Sequence, residues 1–195
     1  MDTATVTVRY SVDEVEFTRE YFVSYPDQAI VVKISGNKPG RLNFTASLDS
    51  ELHHRSYANG KSQIAMQGSC PGKGIASESL EDDDYPEGIQ FSAFLDLQIS
   101  GSMGTLHVLD DKKLHVEGCD WAIIMLSASS SFDGPFINPS DSQRDPSSEA
   151  LSTLNSIKRF SYSEVYSRHV SDHQNLFHSV SLQLSKSSKS SIGNG

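Results

Sequence analysis

Apolar and polar residues alternate along much of the first two-thirds of the chain, a pattern typical of strands that turn one face toward a core. The predicted strands are residues 4–12, 15–22, 29–34, 42–48, 63–67, 89–99, 106–109 and 114–116. The run 121–128 is apolar on both faces, which predicts a strand in the middle of a sheet. Turn clusters such as 35–40 separate the strands, so the pattern predicts an antiparallel β-sandwich.

The sequence predicts how the first strand is buried and where two polar stretches form turns or loops. In segment 4–12 the apolar positions are predicted to face the core, which makes it a half-buried strand. Residues 50–61 are polar and end in Asn59-Gly60, a turn signal. Residues 68–88 are rich in Gly, Ser, Pro and acids, with an acidic run at 81–84, and predict a long surface loop.

After residue 129 the period changes to that of helices. Asp145-Pro146 predicts a helix start, with Asp as N-cap and Pro in the first turn. A second helix is predicted from the capping box between Ser161 and Glu164. The residues predicted to form one stripe along it are Tyr162, Tyr166, His169, His173, Leu176 and Val180. The fold is therefore predicted to be mainly β, with a helical C-terminal part.

Charge and composition exclude several classes of partner. The chain has 16 Lys and Arg against 25 Asp and Glu, a net charge of −9, which argues against a nucleic-acid partner and against an anionic membrane surface. No apolar run approaches the ~20 residues of a membrane helix, and the first residues encode no secretory signal. Cys70 and Cys119 lack metal-site spacing and are interpreted as free or structural thiols.

Few residues suggest chemistry, and no catalytic residue, cofactor or metal site is predicted. His169 and His173 lie four apart on the predicted helix, but without a third ligand they are interpreted as structural rather than as a zinc pair. The acidic run 81–84 lacks the ligand pattern of a calcium loop and is interpreted as solvated. A glycosidase needs two facing carboxyl groups, and the sequence nominates no such pair. Asn43 begins an Asn-Phe-Thr sequon on an outward-facing position, which makes it a candidate N-glycosylation site.

Several segments resemble, in order, the N-terminal domain of glycoside hydrolase family 95, the plant-type α-L-fucosidases. They are residues 8–12, 15–24, 26–28, 30–35, 48–50, 88–91, 121–122, 130–134, 168–177 and 180–182. The most specific are Phe17-Thr18-Arg19-Glu20 and the Leu-Phe-x-x-Val-Ser-Leu motif that starts at Leu176. The resemblance extends to about residue 188.

The resemblance implies a supersandwich-like β-sandwich followed by a helical linker, with the family's inverting hydrolysis of α-L-fucosyl linkages carried out in an (α/α)6 barrel. None of the family's catalytic positions maps onto a residue of this chain. Relative to the family the sandwich is expected to be incomplete, as though truncated at both ends. The expected division is a partial sandwich at 1–145, two linker helices within 146–186 and a disordered tail at 187–195. The family implies an apoplastic location.

Three functions remain open. The leading hypothesis is a non-catalytic part of an α-L-fucosidase, which meets fucosylated glycan only through the absent catalytic domain. The second is a stand-alone carbohydrate-binding or interaction module, which is disfavoured because Trp121, the single tryptophan, lies in a strand predicted to be buried. The third is a subunit completed by a separate catalytic chain, which an exposed apolar helix face would favour.

Overall fold

The computed structural model describes residues 2–72, 87–100 and 103–180. Most of the regular structure in these ranges is antiparallel strand, with two α-helices and one short 3-10 helix at Pro139–Asp141. The strands are β1 (Val6–Val12), β2 (Val15–Ser24), β3 (Ala29–Gly36), β4 (Leu42–Ser47), β5 (His54–Ala58), β6 (Gln63–Pro71), β7 (Glu87–Ile99), β8 (Thr105–Leu109), β9 (Lys113–Cys119) and β10 (Trp121–Ser130). The helices are α1 (Pro146–Ile157) and α2 (Tyr162–Phe177).

The strands form two sheets. The large sheet has the order β1-β2-β3-β10-β7-β6-β5, and the small sheet has the order β4-β9-β8. β10 lies in the interior of the large sheet, between β3 and β7, which confirms the prediction drawn from its two apolar faces. Ala122 on one face and Met125 on the other are both almost fully buried.

One core lies between the two sheets, and this confirms the predicted sandwich. Its buried residues come from both sheets: Ile34, Leu42, Ile64, Leu95, Leu97, Leu114, Val116, Cys119 and Ala122. Alternation along each strand places these side chains on the inner faces, because successive residues of a strand point to opposite sides. Fully burying a side chain such as Leu114 stabilises the fold by about 1.5–3 kcal/mol.

A second core lies on the opposite face of the large sheet, beneath the helices. α1 packs on β7 and β10, and α2 packs on β2. Leu154 and Ile157 of α1 and Val165 of α2 are buried there with Phe22 and Met125. The helices therefore form a third layer of the molecule and share a core with the sheet.

Both helices begin where their capping residues predict. The Asp145 side chain accepts hydrogen bonds from the backbone nitrogens of Ser147 at 3.0 Å and Ser148 at 3.2 Å, with Pro146 in the first turn. Ser161 and Glu164 form the predicted capping box. These bonds satisfy N–H groups that have no partner within the helix.

The stripe predicted along α2 is only partly a packing face. Tyr162, Tyr166 and His169 pack against Phe22, with ring centroids 4.8–5.9 Å from its ring. Leu176, in contrast, is 72% exposed, and Val180 lies beyond the end of the helix. The prediction fails there because only the first half of α2 lies over the sheet.

Two other predictions change, and two lie outside the described residues. Residues 50–61, predicted to be a polar stretch that ends in a turn, contain β5, an edge strand that is held by backbone pairing to β6 and needs little apolar content. β6 continues to Pro71, so the predicted loop at 68–88 begins later than expected. The acidic run 81–84 and the predicted tail 187–195 lie outside the described residues.

The first strand was predicted to be half-buried, and this is wrong. β1 is the edge of the large sheet, and Val6 is 61% exposed, with Val8 and Val12 also exposed. The register aligns β1 with β2, and Val23 of β2 with Ile30 of β3. We define Val6, Val8, Val23 and Ile30 as the uncovered patch, because all four lie on the sandwich-core face of the large sheet and remain exposed.

Candidate functional site

Two largely buried carboxylates, Asp96 and Asp27, have structural roles. Asp96, 1% exposed, accepts from Lys158 Nζ at 2.7 Å and from Ser62 Oγ at 3.3 Å. This ion pair joins the residue after α1 to the C-terminal part of β7. Asp27 pairs with Arg168 of α2 and accepts from Ser24 Oγ at 2.6 Å. Each carboxylate is thus engaged in attaching a helix to the sheet.

Each of three surface cavities lined by described residues lacks a pair of facing carboxylates. The largest, about 420 Å³, is lined by both helices and by the turn that contains Asp27, and Arg168 lies 3.8 Å above the Phe160 ring there. A second, about 360 Å³, lies beside Val23 and Ile30. The third, about 260 Å³, is lined by His53, His54, Arg55, Gln67, Gly68, Ser69 and Gln90. Asp27 is the single carboxylate among the lining residues of these three cavities, so none of them holds the facing pair that glycosidases use.

The two histidines of α2 do not form a shared ligand site. His169 is buried, stacks on Phe22 at 4.8 Å, and its Nε2 donates to the carbonyl oxygen of Thr3 at 2.9 Å. His173 stacks on Phe177 at 5.2 Å. Their interpretation as structural residues rather than a zinc pair stays a prediction. In the part of the chain that the structure describes, no group of three or more His, Cys, Asp and Glu residues could hold a metal ion.

Cys70 and Cys119 are both free thiols. Cys119 is buried at the end of β9, and burial raises the pKa of its thiol. A thiol held in its protonated form is a poor nucleophile. Cys119 is therefore a packing residue.

The candidate glycosylation site lies on β4, an edge strand of the small sheet. Asn43 is exposed, and its Oδ1 accepts from the backbone nitrogen of Gly118 at 2.8 Å. This bond uses the amide oxygen, whereas a glycan would attach to the amide nitrogen. Occupancy of Asn43 by a glycan stays a prediction.

An ion pair holds the loop that leads into α1. Arg144 binds Glu149 and also donates to the carbonyl oxygen of Phe132 at 2.8 Å. Hydrogen bonds from Arg144 and then from Ser129 lower the pKa of Glu149 to about 2. The loop exposes Phe136, which is 96% accessible.

Trp121 is more accessible than the sequence predicts. Although β10 is central, Trp121 is 37% exposed; it is the first residue of the strand and belongs to neither core. Along the register of the sheet, Trp121 of β10 pairs with Ser35 of β3. Ser35 pairs on its other side with Thr18 of β2, and Thr18 pairs with Arg9 of β1. We call these four residues the polar-aromatic row. The sequence does show a polar residue at each of the other three positions, but their alignment depends on the register of four strands.

No helix of the described residues is both long and apolar enough to cross a membrane. This finding concerns helices alone.

Comparison with known proteins agrees with the resemblance seen in the sequence. Residues 1–135 match the family model described as "Glycosyl hydrolase family 65, N-terminal domain". The chain is 46% identical to "Alpha-L-fucosidase 2" of Arabidopsis thaliana over 96% of its own length and 23% of that protein. It is 27% identical to "Probable alpha-fucosidase A" of Aspergillus niger over 94% of its own length and 22% of that protein.

A solved chain called "Putative kojibiose phosphorylase from human microbiome" shares the fold, with a TM-score of 0.52 and 9% identity, over 89% of this chain and 23% of that chain. The chain thus spans less than a quarter of the length of these relatives. The family model carries the number 65 where the sequence motifs indicated 95, while the relatives bear the expected fucosidase names. The match over more than half of its residues shows that the chain belongs to the glycosyl hydrolase family 65 N-terminal domain family.

Proposed function

We propose that this chain is a non-catalytic sandwich portion of an α-L-fucosidase, an enzyme that hydrolyses α-L-fucosyl linkages in plant cell-wall glycans. The observation that carries the proposal is the 46% identity to the Arabidopsis fucosidase over nearly all of this chain. Hydrolysis itself would take place in the (α/α)6 barrel that the resemblance implies, on the same polypeptide or on a partner chain.

The carboxylates support a non-catalytic role. An inverting glycosidase needs two carboxyl groups about 6.5–9.5 Å apart with space for a sugar and a water. Asp27 and Asp96 are engaged in ion pairs with Arg168 and Lys158 that attach the helices to the sheet. Asp27 is also the single carboxylate that lines any of the three cavities, so no second carboxyl group faces it there.

The exposed apolar surface supports association with further polypeptide. The uncovered patch presents Val6, Val8, Val23 and Ile30 on the face that elsewhere carries the sandwich core. Exposed apolar patches of this kind mark interaction surfaces. A catalytic part that packs here would remove these side chains from water.

The test is an exchange of this chain with the matching segment of the Arabidopsis relative. Fucose release from 2′-fucosyllactose is measured for the chimera, for the relative lacking that segment and for this chain alone. We expect activity in the chimera and none above a buffer blank in the other two. Turnover by the chain alone would show that it is catalytic, and a folded but inactive chimera would refute its contribution to the enzyme.

A further inference from the structure

The helices cover only part of their face of the large sheet, and the polar-aromatic row lies on the open part. Trp121 and Thr18 lie on the same sides of β10 and β2 as the helix-covered residues Met125 and Phe22, because they are separated by even numbers of positions. The row crosses four neighbouring strands, a span of about 14 Å at the usual strand spacing. It is long enough for an oligosaccharide rather than a single sugar.

The indole ring of Trp121 is the apolar element of this surface. No described residue accepts a hydrogen bond from its Nε1. A flat aromatic ring with a free N–H suits the carbon–hydrogen face of a pyranose, whose hydroxyls point outward to polar neighbours. Binding sites commonly combine such an apolar surface with a few polar groups that fix orientation.

The polar side chains of the row are available for those hydroxyls. Thr18 and Ser35 are half-buried and Arg9 is exposed, and within the described residues the side chains of all three lack a hydrogen-bond or ion-pair partner. Hydroxyls both donate and accept. Three side chains aligned beside an exposed indole can therefore hydrogen-bond successive sugar hydroxyls.

The next cross-strand row forms a wall beside this surface. Lys33 Nζ lies 4.6 Å above the Tyr162 ring, and the Tyr162 hydroxyl donates to Glu20 at 3.3 Å. Burial, followed by the nearby Glu20 charge, raises the pKa of the Tyr162 hydroxyl, so it stays a donor. The opposite charges of Lys33 and Glu20 lie opposite each other in register.

Charge selects a neutral ligand. Arg9 is the single charged residue of the row, the neighbouring Lys33 and Glu20 offset each other, and the chain as a whole carries −9. That overall charge disfavours a polyanion. We propose that the polar-aromatic row binds a neutral oligosaccharide, with one sugar ring stacked on Trp121. This holds whether or not the chain takes part in fucose release.

The single tryptophan of the chain makes the test direct. Emission of the full chain is titrated with cellohexaose and with 2′-fucosyllactose. We expect a saturable change with a Kd of about 1 mM for at least one of them. No change with either sugar up to about 20 mM would overturn the proposal.

Variants then assign the site, with affinity measured by calorimetry and folding checked by circular dichroism. Trp121→Ala is expected to weaken binding at least about tenfold, whereas Phe136→Ala, an exposed aromatic outside the row, should leave it unchanged. Wild-type affinity in folded Trp121→Ala would overturn the proposal. If that variant fails to fold, Thr18→Val decides, because it keeps the tryptophan: a loss of about threefold or more supports the site, and unchanged affinity refutes it.

Discussion

Removal of Lys158 should destabilise the fold, because the lysine is the counter-charge of a buried carboxylate. Asp96 is 1% exposed, and its Oδ2 has no partner among the described residues, so Lys158 and Ser62 carry its hydrogen bonding. In Lys158→Met the carboxylate stays buried without an opposite charge. Breaking a buried pair in this way costs about 3–5 kcal/mol. The lysine side chain is 31% exposed, so water compensates in part, and we expect a loss of about 2–3 kcal/mol.

The assay is urea unfolding followed by Trp121 emission, with thermal unfolding as a second measurement. A loss of 2–3 kcal/mol corresponds to a fall in Tm of about 4–12 °C for a domain of this size. Lys113→Met is the matched control, because its partner Asp110 is well exposed. The control should lose less than about 0.5 kcal/mol.

Repeating Lys158→Met in the Asp96→Asn variant separates the energy of the ion pair from the packing energy of the lysine side chain. In Asp96→Asn the buried charge is gone, so adding Lys158→Met should cost less than about 1 kcal/mol. An equal loss in both backgrounds would refute the electrostatic reasoning. So would a loss for Lys158→Met alone no larger than that of the Lys113 control.

Three further changes test other parts of the fold. Phe22→Ala should lower the free energy of unfolding by about 3–5 kcal/mol in urea, because Phe22 fills the core against three rings of α2; a loss below about 1 kcal/mol would contradict this packing. Glu149 has a pKa lowered to about 2, first by Arg144. A carboxyl whose pKa is depressed in the folded state contributes stability that is lost as pH falls from about 4.5 toward about 2. Glu149→Gln should therefore show a smaller fall of Tm across that pH range than the wild type. An equal fall of Tm in both proteins would refute this prediction. Val6→Lys should reduce self-association at high concentration, measured by light scattering, because it places a charge on an exposed apolar edge; an unchanged size distribution would count against the uncovered patch as a contact surface.

The sequence predicts the elements of this fold better than their surroundings. Alternation and capping residues located most strands and both helix starts, because those signals are local. β1 shows the limit: its alternation is regular, but only the positions of the other layers decide whether its valines are buried. β5 was not located from the sequence, because an edge strand held by backbone hydrogen bonds needs no alternating apolar pattern.

The candidate sugar surface was missed for a similar reason. The apolar run 121–128 correctly predicts a central strand, and from this the burial of Trp121 was inferred. Burial, however, varies along a strand: Trp121, the first residue of β10, is 37% exposed, whereas the next residue, Ala122, is fully buried. The neighbours of Trp121 come from β1, β2 and β3, and only the paired sheet shows that their polar residues align with it.

The strand order has a consequence for synthesis on the ribosome. β3 ends at Gly36, whereas its permanent neighbour β10 begins at Trp121. At about 5–20 residues per second, the open edge of β3 waits about 4–17 s for synthesis to reach its partner. During that interval β1, β2 and β3 form an incomplete meander whose apolar faces lack both covering layers. Nascent chains of this protein are therefore expected to depend on chaperones that shield extended apolar segments.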